Sequence, residues 1–187
     1  MGFVYHGSQI QNLTEIIPIN HRPVFATPDK IISALFAINR EAGHGTFSRT
    51  IGHIKDGTMP FIAERYSGAF DELYSGMSGS IYVLDDSNFV PYEKTKMFKV
   101  SRYSVPVIQE IKITDMKQYL LNLAVNNELK IYTYPTRPST IPDDDSDLVQ
   151  MCIRFNNPEK LQEFRDLFPD LYHRNKEKFA DIEHKKI

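Results

Sequence analysis

A chain of 187 residues, 41% hydrophobic and 25% charged, has enough apolar material for the core of one globular domain with a short appendage. Its formal charge of -2 gives no global attraction to nucleic acid or an anionic membrane. The single cysteine excludes an internal disulfide, no run of about 20 apolar residues is present to span a bilayer, and no secretory leader is visible. A cytoplasmic protein with no membrane partner is expected.

Taken in chain order, VYH (Val4–His6) reads as a short strand, and QIQNLTEIIPINHRP, without a clean period and with two prolines, as loop. VFAT (Val24–Thr27) is a second strand that feeds the helical segment PDKIISALFAINRE. There Thr27 is the expected N-cap, Pro28 suits the first helical position, and Ile31, Ala34, Leu35 and Ile38 keep the helical period. From Glu41 to Gly79 the chain is rich in Gly, Ser and Thr, with one strand expected at MPFIAER and weak order elsewhere.

SIYVLD (Ser80–Asp85) is the clearest central strand, followed by the turn residues DDSN. MFKVSR is another strand, and VPVIQEIKIT (Val105–Thr114) a long one leading into the helix DMKQYLLNLAVNN, capped by Thr114 or Asp115. LKIYTYP is a late strand. The acidic loop with Asp143, Asp144, Asp145 and Asp147 reads as solvated surface, since the spacing and final Glu of an EF-hand are missing. Cys152, inside LVQMCIRF, reads as a buried structural thiol. Helices follow, one started by Asn157 and Pro158, the next charged throughout. Strands first and helices last predict an α+β fold with a mainly antiparallel sheet, residues 1–147 forming the main domain and 148–187 a helical extension packed on it.

Several chemistries lack their motifs. No GxGxxG follows a strand, and neither GxxxxGK[ST] nor HExxH is present. His44 and His53 with one cysteine do not make a zinc site, so no metal is expected.

What remains is an ordered set of residues: a strand ending His6-Gly7-Ser8, Phe25 in a strand that feeds a helix, Ser33 eight residues on, Phe36 three further, and Glu110 in QEIKITD ahead of a second helix. From about Val4 to Leu123 this order resembles the ADP-ribosyltransferase superfamily, in the branch whose catalytic signature is His, Tyr and Glu. The resemblance implies a split, mainly antiparallel sheet with flanking helices, and NAD as co-substrate. It implies that Glu110 stabilises the positive charge that develops on the ribose as the bond to nicotinamide breaks. It also implies that Phe25 and Phe36 sandwich the nicotinamide ring, that Gly7 and Ser33 bind its amide, and that His6, beside Ser8, hydrogen-bonds the adenosine ribose.

Two residues depart from the family's patterns. Phe25 stands where Tyr is usual, and Ile108 stands where arginine-modifying relatives of another branch carry Glu or Gln. The acceptor, whether protein, nucleic acid or small molecule, stays open. Other readings keep their place: a non-catalytic module that binds NAD or an ADP-ribose-like ligand, and an NAD-using RNA 2'-phosphotransferase, whose matching site here has few basic residues; the one basic cluster, Lys94, Lys96, Lys99 and Arg102, reads as a solvated strand-and-loop face before a phosphate contact. The third is an interaction protein acting through its C-terminal helices.

Overall fold

A computed structural model describes residues 2–38, 45–54, 57 and 59–184 of the chain. The first part runs β1 (Phe3–Ser8), β2 (Glu15–Ile16), β3 (Val24–Ala26), α1 (Lys30–Leu35), β4 (Arg49–His53) and β5 (Pro60–Glu64). The middle follows with α2 (Ala69–Tyr74), β6 (Gly79–Asp85), β7 (Val90–Pro91), β8 (Lys99–Ser101), β9 (Val105–Pro106), β10 (Gln109–Ile113) and α3 (Met116–Val125). The last part holds β11 (Lys130–Tyr132), α4 (Ser146–Phe155), α5 (Pro158–Leu167), α6 (Pro169–Arg174) and α7 (Ala180–Glu183). The fold is α+β. Pairing is antiparallel throughout the described residues except between β5 and β11.

The centre is β6, between β1 and β10. Its sequence GSIYVLD is buried along nearly its whole length because both faces are covered. On one face Ile81 joins Tyr5, Ile111 and Ile113 against Ile32 and Leu35 of α1, Phe70 and Leu73 of α2 and Met116 and Leu120 of α3. On the other, Tyr82 and Leu84 pack with Val4, Ile16, Val24, Phe89 and Val105. Each buried Leu or Ile contributes about 1.5–3 kcal/mol. A slip of one residue would swap the two faces, so the register is firmly specified.

Several boundaries differ from those expected. The helix after VFAT starts at Lys30, and its N-cap is Asp29, not Thr27: Asp29 Oδ1 accepts from Ile31 N–H at 2.8 Å and Ile32 N–H at 3.1 Å. Thr27 Oγ1 instead accepts from Asp29 N–H at 3.1 Å. Among the described residues of Glu41–Gly79, β4 and α2 add regular structure to the strand expected there. The segment expected to be loop contains β2, which pairs with β9. The long strand expected over Val105–Thr114 is two, because its halves take different partners: Val105–Pro106 pairs with β2 and Gln109–Ile113 with β6. Asp115 caps α3 through a bond from Gln118 N–H at 2.9 Å.

The C-terminal helices pack on the rest of the chain through Phe47, which shares a cluster with Leu148, Val149, Cys152, Phe164 and Phe179. α4 begins at Ser146, two residues before the expected boundary. The acidic loop is not merely solvated. Asp145 and Asp147 lie 2.7 and 2.5 Å from the buried Arg65 guanidinium at the end of β5. Burial alone would lower the Arg65 pKa, but the bonds to Asp147 and Asp145 outweigh it and hold it raised. No helix of the described residues is long and apolar enough to cross a membrane.

Candidate functional site

β1 and β3 touch at one pair and then part. Tyr5 N–H donates to Thr27 O at 2.8 Å and Thr27 N–H to Tyr5 O at 2.9 Å, after which the chain turns away into α1. Antiparallel strands alternate the direction of their backbone groups. Since Tyr5 faces β3, Gly7 two residues on turns its own N–H and C=O the same way, off β6 and into the gap. α1 lies against this edge so closely that a Cβ at Gly7 would come within 1.9 Å of Ser33 O. Glycine is required there by the helix backbone, not by an unusual φ.

The gap is a cavity of about 220 Å³. Its lining includes His6, Gly7, Phe25, Ser33 and Phe36, five of the seven residues singled out in the sequence, with Phe98 as an additional aromatic. The volume is below the roughly 300–1,000 Å³ of sites that enclose drug-sized ligands, so it suits one ring-sized group with the remainder of a larger ligand outside. Phe98 makes T-shaped contacts with both expected ring partners, 6.2 Å from Phe25 and 5.2 Å from Phe36 between centroids. Tyr92 adds a third T-shaped contact, 5.0 Å from Phe25.

His6 Nδ1 lies 2.7 Å from Phe25 O. A carbonyl only accepts, which assigns a proton to Nδ1. The histidine thus ties β1 to β3 just where they part. Ser33 is buried, and its Oγ donates to Lys30 O at 2.7 Å, so its hydroxyl proton is used inside α1 while its oxygen can still accept. Ser8 is not on the lining; its Oγ accepts from Ile10 N–H at 3.1 Å.

Glu110 is outside the lining too. In the paired register His6, Tyr82 and Glu110 form one row across β1, β6 and β10, on the same face. Two strand spacings put the backbones of His6 and Glu110 about 10 Å apart. Three donors converge on Glu110 Oε1: Ser80 Oγ–H at 2.6 Å, Asn12 N–H at 2.9 Å and the Tyr82 hydroxyl at 3.0 Å. The Tyr82 hydroxyl shares its one proton between Glu110 and Ile10 O at 2.8 Å.

Oε2 faces Lys112 Nζ at 3.9 Å. The bond from Ser80, then that from Asn12, holds the Glu110 carboxyl below its ordinary pKa, so it is ionised at neutral pH. Burial, with help from the Glu110 carboxylate, raises the Tyr82 phenol, which therefore stays protonated. The result is a carboxylate fixed through one oxygen.

Ser80, Tyr82 and Phe98 were not singled out in the sequence. The alternation in SIYVLD puts Ser80 and Tyr82 on one face, but only the pairing with β10 brings that face to Glu110. Of the basic cluster, Lys99 is held by Asp86 at 2.5 Å. Among the described residues no group of three or more His, Cys, Asp or Glu could hold a metal ion, and His44 lies outside them. No family model, curated protein or solved structure matches this chain.

Proposed function

We propose that the cavity receives the nicotinamide ring of NAD and that the protein is an NAD-dependent ADP-ribosyltransferase. The reading is supported by His6, Gly7, Phe25, Ser33 and Phe36 lining one cavity, with the backbone edge of Gly7 turned into it. Gly7 N–H donates to the carboxamide oxygen and Gly7 C=O accepts from the carboxamide nitrogen, as a neighbouring strand would pair with that edge. Ser33 Oγ accepts the second amide hydrogen. Phe25 and Phe36 supply aromatic contact, each worth about 0.5–1.5 kcal/mol beyond the area buried. His6 meets a ribose hydroxyl.

In the reaction the bond between the pyridinium nitrogen and the ribose carbon breaks. Its electron pair leaves with nicotinamide, which becomes neutral, and positive charge develops on the ribosyl group. Glu110, ionised and held through one oxygen, stabilises that charge from beside Tyr82, two strands over from His6. A nucleophile of the acceptor then bonds to the same carbon and gives its proton to solvent. The acceptor is a protein side chain, a nucleic acid or a small molecule; Ile108, where Glu or Gln would favour arginine, argues against arginine.

A second reading has its own support. Glu110 lies off the cavity lining and Phe25 lacks a hydroxyl, as suits a module that binds NAD or an ADP-ribose-like ligand without cleaving it. Calorimetry with NAD, alongside nicotinamide release by wild type and Glu110→Gln, separates the two. Release lost in the variant supports the transferase; binding without release supports the module. Neither binding nor release contradicts both.

A further inference from the structure

The cavity has a third aromatic wall that no sequence pattern announced. Phe98 comes from the β7–β8 hairpin, 62 residues beyond Phe36 in the chain, and reaches the cavity because β8 pairs with β3. Its ring stands at 89° to Phe25 and 73° to Phe36, perpendicular or nearly so to both. Phe25 and Phe36 form two parts of the cavity wall, and Phe98, in contact with both, forms a third between them. The hairpin backbone that carries the ring is tied on both sides: Tyr92 N–H donates to Phe98 O at 3.0 Å, and Met97 N–H to Thr95 Oγ1 at 3.2 Å. On the next residue, Lys99 Nζ bonds both Asp86 carboxylate oxygens at 2.7 and 2.5 Å.

Resting on the assignment of this cavity to a planar aromatic amide, we infer that Phe98 determines its specificity by limiting it to a single six-membered ring. The small volume of about 220 Å³ agrees with such a limit. A fused second ring would have to displace Phe98, losing its T-shaped contacts to Phe25 and Phe36 and disturbing an anchored hairpin. Phe98 bonds to no reacting atom. It acts on which ligand enters.

The test measures affinity of the full chain, by calorimetry, for benzamide and for isoquinolinone, a two-ring lactam with the same amide edge. Wild type is expected to bind benzamide at least tenfold more tightly than isoquinolinone. Phe98→Ala is expected to reverse that order, gaining at least tenfold for isoquinolinone while losing severalfold for benzamide. Phe98→Leu keeps hairpin packing, should the alanine variant fail to fold, and is expected to shift the ratio the same way by a smaller factor. Equal binding of both ligands by wild type, or an equal loss for both in the Phe98 variants, overturns the role of Phe98 and leaves the amide site standing. If neither ligand binds wild type, the amide site itself fails and this inference falls with it.

Discussion

Gly7→Ala is the sharpest structural perturbation of the candidate site. The added methyl would lie 1.9 Å from Ser33 O, 2.8 Å from Ser33 C and 3.1 Å from Ala37 N, all backbone atoms. No rotamer change relieves such a contact, so α1 must lift off β1. Overpacking a well-filled site costs about 1–3 kcal/mol, and a backbone obstacle puts this case at the upper end, ~3 kcal/mol. The reduced freedom of the unfolded chain returns about 0.4–1 kcal/mol, leaving a net loss of roughly 2–3 kcal/mol. For a chain this long that corresponds to a fall in Tm of about 4–12 °C. Urea unfolding followed by far-ultraviolet circular dichroism reads the loss. Ser33 and Phe36 travel with the helix, so benzamide affinity is expected to drop more than tenfold in the same variant. Stability within about 0.5 kcal/mol of wild type would refute the close contact of α1 on β1, since that is the range of an ordinary surface substitution.

Three further outcomes follow from particular side chains. Arg65→Met removes a cation from between Asp145 and Asp147, whose side chains are 28% and 29% exposed. Because both carboxylates reach solvent and Asp145 keeps Arg137 Nη1 at 2.7 Å, leaving only Asp147 without a cation, the expected loss is about 2 kcal/mol, below the roughly 3–5 kcal/mol seen when a charge stays buried; an unchanged urea midpoint contradicts the bridge. Cys152, fully buried and with its thiol pushed up to about 11 chiefly by that burial, is expected to ignore a disulfide reagent at about pH 8 until urea unfolds the chain. Labelling of the native protein at the unfolded rate contradicts that. Glu110 has a folded pKa below its ordinary 4.5, so its contribution to stability is complete above that value and is lost as pH falls through the folded pKa. The stability gap between wild type and Glu110→Gln is therefore expected to be flat from about pH 6 to 8 and to close below about pH 4; a gap that widens in acid contradicts the bonds from Ser80 and Asn12.

The parts of the fold legible in the sequence are those set by short-range chemistry. Alternation and β-branched residues mark β6, and an Asn followed by Pro marks the start of α5, where Asn157 Oδ1 accepts from Lys160 N–H at 3.1 Å. β2 and β9 are two residues each and carry no periodic signal; they exist because they pair with each other, Ile16 opposite Val105. Asp145 and Asp147 looked like surface because their partner Arg65 is some 80 residues away. The site divides along the same line. His6 and Gly7 sit on one strand, and Phe25, Ser33 and Phe36 on one strand–helix unit, so their spacing was readable. Phe98 enters only through the long-range pairing of β3 with β8, and Ser80 and Tyr82 only through that of β6 with β10. Nor could spacing show that Glu110 stands one strand beyond Tyr82 instead of on the cavity wall.

Nicotinamide release from NAD by purified protein, wild type beside Glu110→Gln, tests the central claim most directly. The amide keeps an acceptor oxygen for Ser80, Asn12 and Tyr82, so at neutral pH the variant is expected to fold and to bind NAD while losing the charge that faces the developing ribosyl cation. Release by wild type that falls by two or more orders of magnitude in the variant is the expected result, a loss of at least about 2.7 kcal/mol of transition-state stabilisation. Equal release by both proteins would take Glu110 out of the reaction. No release from a wild type that binds NAD would leave the cavity a ligand site and contradict the transferase.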